Sequence, residues 1–530
     1  MTLLRTKFVL SVCLPGLMAG VFLAALGQAE AKVIKAASPA LADVNTAVAA
    51  AADGDLVTVP AGTAAWTGSL NVSKGITIQG ATTITGTRDN PAVADATIIL
   101  DNVARTYTAS ALVRATVGLG KNFRLTGFTF RKGSLTTLAQ NGGVRLDGAC
   151  QAARVDHCHF DSLYQNPNIQ TTGQVYGVVD HCVFDLKIQG AESFSIQHGG
   201  WGGATNGDGS WADDSYFGTN KFLFVEDCTF NHVAGGGLDC YNGGRYVARY
   251  NRFNNMGTQS HGTENTGRMR SARAIEVYNN TFNWSQLPSA GELRGGCLLI
   301  HDNVWTGTRI EHGTMLTCYR EFYPYKYWGT ANGANPLDSN DPHGIYFSGT
   351  AGTGSGANKL VVPNAGWTTN QWVNYTVVNT TKLFSSGTGS GYHPSSYIDG
   401  NTSNTITVKS DAGTDGPLTS FAPGDHFEIR KVLIALDQPG RGKGSLIAAG
   451  GDPSKDGVVW PNQMLDPVYS WNNKRAIENT TVDLTSRDPT IKEGRDFYNN
   501  TPKPGYQPYI YPHPLTTLAP PSDLTVVAGP

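Results

Sequence analysis

The chain has 530 residues, with 40 Lys and Arg against 42 Asp and Glu, a net charge of −2 and 15% charged residues in all. That balance leaves no basic footprint and excludes a nucleic-acid binder. Sixty-three glycines, with many Asn, Thr and Ser, fit a turn-rich all-β protein.

In chain order, residues 1–31 carry Arg5 and Lys7, then an apolar run from Phe8 to Leu26, then Ala29-Glu30-Ala31 before Lys32. This is the pattern of a secretory signal peptide, so a secreted or periplasmic protein is expected. No later stretch is long and apolar enough to span a membrane, and a soluble monomer is expected. Ser38 to Ala52 reads as a short helix with Leu41, Val44 and Val48 on one face. Such a helix suits the open end of a solenoid, where core and strand edges would otherwise meet water.

From Ile76-Thr77-Ile78 onward the chain reads as stacked strands. Seven phrases end in an aromatic, at Phe130, Phe160, Phe184, Phe230, Phe253, Phe282 and Trp305, with intervals of 30, 24, 46, 23, 29 and 23. A unit near 23 residues with a two-residue side-chain period is the mark of a β-solenoid, and 46 reads as two units. Five residues before each aromatic the column is apolar: Leu125, Val155, Val179, Val225, Ala248, Val277 and Ile300. It should face inward. Two residues before it stand Phe128, Cys158, Cys182, Cys228, Asn251, Asn280 and Asn303. That column suits an internal corner stack, with amides bonding rung to rung and free thiols as small fillers.

Four residues before the aromatic stand Thr126, Asp156, Asp180, Glu226, Arg249, Tyr278 and His301. Strand alternation turns them away from the apolar column, toward solvent. Three stacked carboxylates repel one another unless a cation sits among them, which makes Asp156, Asp180 and Glu226 candidate Ca²⁺ ligands. Seven of the eight cysteines lie beyond the leader and none forms a CxxC pair, so a structural zinc site is not expected.

The segment Gln197 to Thr219, with Trp201, reads as a long loop able to carry binding residues. The β-helix is assigned to 32–345, a small inserted β module to 346–432, and the last strands with a Tyr- and Pro-rich C-terminal strap to 433–530. The resumption is expected at Val432-Leu433-Ile434-Ala435-Leu436. Arg245, Arg249, Arg252, His261, Arg268, Arg270 and Arg273 crowd two consecutive units, and Arg294 and His301 follow. With glycines flanking them, these residues suit an anionic polysaccharide whose uronate groups meet Arg forks.

Val155-Asp156-His157-Cys158-His159-Phe160 and Val179-Asp180-His181-Cys182-Val183-Phe184 resemble the "W-I-D-H-C-x-F" phrase of pectate lyases. Arg268-Met269-Arg270-Ser271-Ala272-Arg273 with Tyr278-Asn279-Asn280-Thr281-Phe282 is similar to their arginine-rich segment. The resemblance covers about residues 120–310 and implies a right-handed parallel β-helix and a carbohydrate-directed role. It also adds to the Ca²⁺ expectation at Asp156 and Asp180. Glu276 stands where that family has a His, and the family's proline is absent. The substrate is therefore left open.

The expectation is an exported polysaccharide lyase acting on a uronic-acid-containing chain by β-elimination. That reaction needs neutralisation of the C6 carboxylate, a base at C5 and an acid at O4. His261 is the physically easiest base; Arg270 or Arg273 is the base the resemblance implies. Tyr278 or His301 would serve as acid, Arg249 stands beside them, and Arg245, Arg268, Arg294 and Trp201 would bind substrate. The alternatives are a non-catalytic glycan-binding or surface-attachment β-helix, and a glycoside hydrolase using paired carboxylates.

Overall fold

Every aromatic of the repeat is paired in register with the next. Phe130 stands beside Phe160, then Phe184, Phe230, Phe253, Phe282 and Trp305, all in parallel strands. In this computed structural model the strands form three long sheets of 13, 11 and 10 strands, and the fold is a right-handed parallel β-helix. The structure describes residues 31–104, 111–134, 142–163, 167–186, 192–203, 206–233, 237–262, 270–285, 289–308, 312–317, 345–373, 375–383, 393–408, 420–431, 437–443, 464–486, 491–517 and 525–526. The leader, Arg268 and the expected strand at 432–436 lie outside these residues.

The aromatics stack face to face down the core, with centroids 4.6 Å apart between Phe160 and Phe184 and 4.9 Å apart between Phe282 and Trp305. The column from Leu125 to Ile300 is fully buried beside them, as expected. One reading of the spacing is corrected: Phe184 pairs directly with Phe230, so the 46-residue interval is one coil. The surplus lies between the third-sheet strand Phe194–Ile196 and the first-sheet strand Leu223–Glu226. It folds into a 3-10 turn at Trp201–Gly203 and a helix at Asp208–Ala212.

The corner between the first and second sheets explains a column that the pattern of apolar residues does not reveal. Three residues before each aromatic, the backbone is left-handed: Gly127, His157, His181, Asp227, Tyr250, Asn279 and Asp302, with φ between 50° and 75°. Asn, Asp and Gly adopt this conformation at least cost, which is why they recur there. The next residue points back inside. Asn280 Nδ2 donates to Ala248 O at 2.9 Å, and its Oδ1 accepts from Asn251 N at 2.9 Å. The amide ladder continues through Asn303 to Asn473, across more than 150 residues of sequence. Higher up the column Cys158, Cys182 and Cys228 are buried free thiols. Asn280→Ala would orphan both backbone groups, at about 1–3 kcal/mol each. A fall in unfolding free energy of that size, read from a lowered denaturant midpoint, is expected, and an unchanged midpoint would remove the ladder from the account of stability.

The helix Leu41–Ala50 caps the N-terminal end, burying Val44, Ala47 and Val48 on the core. Residues 347–431 form a separate six-stranded antiparallel sheet around Leu360, Trp367, Trp372, Val377, Phe427 and Ile429. The helix resumes at Val468–Trp471, which pairs with Cys297–His301. After Phe497–Tyr498 the chain turns back along the outer face of the first sheet. It meets the other pole of the helix, where Thr525–Val526 pairs with Lys32–Lys35. No helix among the described residues is long and apolar enough to cross a membrane.

Candidate functional site

The line expected to face solvent on the first sheet is buried instead, and the C-terminal strap is the cause. Arg249 donates to the Tyr509 and Ile510 carbonyls at 2.7 and 2.9 Å. His513 N donates to Glu226 at 2.9 Å, and Arg154 donates to the Leu515 carbonyl at 3.0 Å. Each step of the strap thus lands on an earlier coil. Arg249, the next member of the carboxylate line, closes that line off.

Asp156, Asp180 and Glu226 do not fit a Ca²⁺ site. Asp156 accepts from Arg124 Nε and Nη2 at 2.7 Å each, from Thr126 and from His157. Asp180 is clasped by Arg154 through Nε and Nη2, and Glu226 by Arg249 Nε at 2.7 Å. All three are fully buried. Burial opposes ionisation of Asp156, yet hydrogen bonds from Arg124 and His157 hold its carboxyl well below the usual range. Guanidinium groups already supply the charge a cation would bring, and the oxygens that would ligate it are engaged.

The other expected residues of this face are buried as well. Tyr278 donates no path to solvent: its ring stacks on His301, which stacks in turn on Trp471 at 4.1 Å. His301 Nδ1 lies 2.7 Å from Asp302, while burial lowers its pKa. Arg270 makes a two-pronged pair with Asp437 at 2.8 Å. Arg273 meets Asp466 and the Cys297 thiol, and Arg245 donates to Ser210, Asp214 and Ser215. Trp201 is buried with the Arg245 guanidinium 4.3 Å from its ring. These arginines fasten Ser210, Asp214 and Ser215 of the long connection, together with Asp437 and Asp466, onto the helix. Arg245, Arg249, Arg270 and Arg273 of the expected cationic surface therefore form an internal seam.

Glu276, another buried acid of this face, accepts from Tyr506 of the strap and from Gly218 N. Burial pushes its carboxyl up to about 7 from an ordinary 4.5, against the lowering effect of those donors. The folded state therefore holds a proton that the unfolded chain releases. Stability from this group is complete below about pH 4.5 and is lost as pH rises to about 7, a change of roughly 3 kcal/mol. Glu276→Gln should flatten the dependence of the denaturant midpoint on pH in that window; an identical slope would place the titration elsewhere.

His261 has a different setting. On the third sheet, Ser195 is in register with Asp239, Leu238 with Thr258, and Gln259 with Glu292. Two residues on, Gln197, Tyr241, His261 and Arg294 form an outward column over four successive coils, about 4.8 Å apart. His261 Nδ1 lies 2.7 Å from the Asp239 carboxylate, which is almost wholly buried, while the imidazole is one-fifth exposed. The Tyr241 ring meets His261 edge-on at 5.6 Å. Gln197 Nε2 donates to the Tyr241 hydroxyl oxygen at 2.7 Å, and Ser195 Oγ lies 3.4 Å from it. Arg294 Nε pairs with Glu292 at 3.1 Å, and its backbone N donates to Ser260.

A buried carboxylate lies close to the imidazole, a phenol stands one coil before it and a guanidinium one coil after. Of the expected residues, the structure places His261 and Arg294 on adjacent third-sheet coils and gathers Glu226, Arg249, Tyr278 and His301 into a separate buried cluster on the first sheet. Asp239, Tyr241 and Gln197 were not singled out from the sequence. Gln197 and Tyr241 directly follow their strands and Asp239 lies within one, and irregular connections hide that register in the sequence.

The fold and this column together define a parallel β-helix with a polar column along its third sheet. No protein-family model matches the chain, and no curated protein matches it. Among solved structures it is similar to an alginate lyase from Paenibacillus sp. str. FPU-7, with 12% identity over 53% of this chain and 97% of that one and a TM-score of 0.31. It is also similar to ORF18 of Geobacillus virus E2, with 12% identity over 71% and 76% of the two chains and a TM-score of 0.33.

Proposed function

We propose that the protein is a polysaccharide lyase that cleaves a uronic-acid-containing chain by β-elimination on the outer edge of the third sheet. The observation that supports this is the Asp239–His261 pair with Tyr241 beside it in one accessible column. In this reading His261 Nε2 takes the C5 proton and Asp239 stabilises the imidazolium. The C5–H electron pair forms the C4–C5 double bond as the C4–O bond breaks, and Tyr241 gives its proton to the departing oxygen. Arg294 and Gln197 balance the carboxylate charge that spreads as the proton leaves. The leader of residues 1–31 and an extracellular polymer belong to the same reading.

The test is a panel of pectin, alginate, glucuronan and glycosaminoglycans with the mature protein. Ultraviolet absorbance from an unsaturated uronate is expected with at least one of them. Saturated reducing ends would assign hydrolysis instead, and binding without cleavage would assign a glycan-binding role.

A further inference from the structure

The outward column that carries Asp239 continues well before the candidate site. On the preceding coils it holds Ser195, then Gln170, Arg145 and Arg114, all in register. The two arginines converge on one carboxylate: Arg114 Nε lies 2.7 Å from Asp147 Oδ2 and Arg145 Nε 2.7 Å from Asp147 Oδ1. Thr172 also donates to Asp147, and Arg145 Nη1 lies 3.4 Å from Gln170 Oε1. Two guanidiniums on one carboxylate leave a net positive charge, and the Arg114 side chain is about one-third exposed.

Their mode of pairing differs from that of three other arginines, the partly exposed Arg124 and the buried Arg154 and Arg270. Arg124, Arg154 and Arg270 each close both Nε and an Nη on a carboxylate. Arg114 engages Asp147 through Nε alone, and among the described residues its Nη groups have no hydrogen bond. A guanidinium held side-on in this way presents its remaining donors to a second anion. The anchor lies four coils from His261 at Arg145 and five at Arg114. At about 4.8 Å per coil, that distance is roughly 19–24 Å. The coil spacing is also close to the length of one sugar in an extended 1,4-linked chain.

We propose that Arg114 and Arg145 are a distal anchor for a uronate carboxylate of a polyuronate laid along the helix axis, bound four to five sugars from the bond that is cut. The proposal rests on the lyase reading and adds to it a chain direction, a minimum length and a demand for negative charge far from the cut. Neutral polysaccharides and short oligouronates gain nothing from this anchor.

The experiment measures binding apart from cleavage. Oligouronates of three and eight sugars, from whichever polymer the panel selects, are titrated calorimetrically into the His261→Asn protein. The same titration is repeated in that background with Arg114→Gln, Arg145→Gln and Asp147→Asn added, so that no carboxylate is stranded. The eight-sugar chain should bind at least about tenfold more tightly than the three-sugar chain, and the added substitutions should abolish that gain. If they misfold by circular dichroism, Arg114→Gln alone is decisive and should reduce the gain severalfold. A length gain that survives in a folded variant overturns the anchor while leaving the lyase intact. If no oligouronate binds or is cleaved, the lyase reading falls and the anchor with it.

Discussion

His261→Asn should reduce lyase turnover by about 10²–10⁴-fold, the usual worth of a positioned general base, while the β-helix melts as before. Asparagine is chosen because it can still donate toward Asp239, whose carboxylate is almost wholly buried. Alanine would empty the space beside that buried charge and confuse a catalytic loss with a structural one. The companion change is Tyr241→Phe, which removes one hydroxyl from the column. It should lower kcat with little change in KM, because a leaving-group acid acts only as the C4–O bond breaks. Activity retained in both variants would move the chemistry off the third sheet.

Arg249→Ala should be among the most destabilising single changes in the protein, by about 3–5 kcal/mol. Its guanidinium is completely buried and serves four partners: Glu226, the Tyr278 hydroxyl and the carbonyls of Tyr509 and Ile510. Removing it leaves the Glu226 charge in an apolar setting and unfastens the strap at its middle. The readouts are the denaturant midpoint and limited proteolysis near residues 505–515. Early cleavage there with an otherwise intact β-helix would show the strap detaching first. A midpoint within about 0.5 kcal/mol of wild type would mean that Glu226 takes up a proton or another partner at little cost.

The repeat was legible because its signals are local and periodic. The aromatic column, the apolar column and the Cys-to-Asn column each follow from alternation along a strand, and each appears where expected. What could not be read was whatever arrives from far along the chain. Strand alternation correctly turned Asp156, Glu226 and Arg249 outward, but outward became solvent only by assumption. The residues that cover them, from Tyr506 to Leu515, lie more than 200 positions later. The same holds for Arg270, whose partner Asp437 is 167 residues away. The third-sheet column was hidden for another reason. Its members follow strands of three to five residues, and the connections between them vary in length, so no fixed offset links Gln197, Tyr241 and His261.

The return of the chain to its starting pole changes how such a molecule can come apart. Stacked coils ordinarily fray from either end, because a terminal rung has one neighbour and lower local stability than an interior one. Here the last coil feeds a segment that touches the strands at Ala274–Tyr278, Arg245–Arg249, Leu223–Glu226 and Ala152–Asp156 before pairing beside Lys32–Lys35. Peeling the first strand away therefore disturbs the final residues, and lifting those residues exposes buried charge on the middle coils. The strap thus ties the first strands to the middle coils and leaves the rung at Phe497–Tyr498, with a single neighbour in its sheet, as the place where fraying begins.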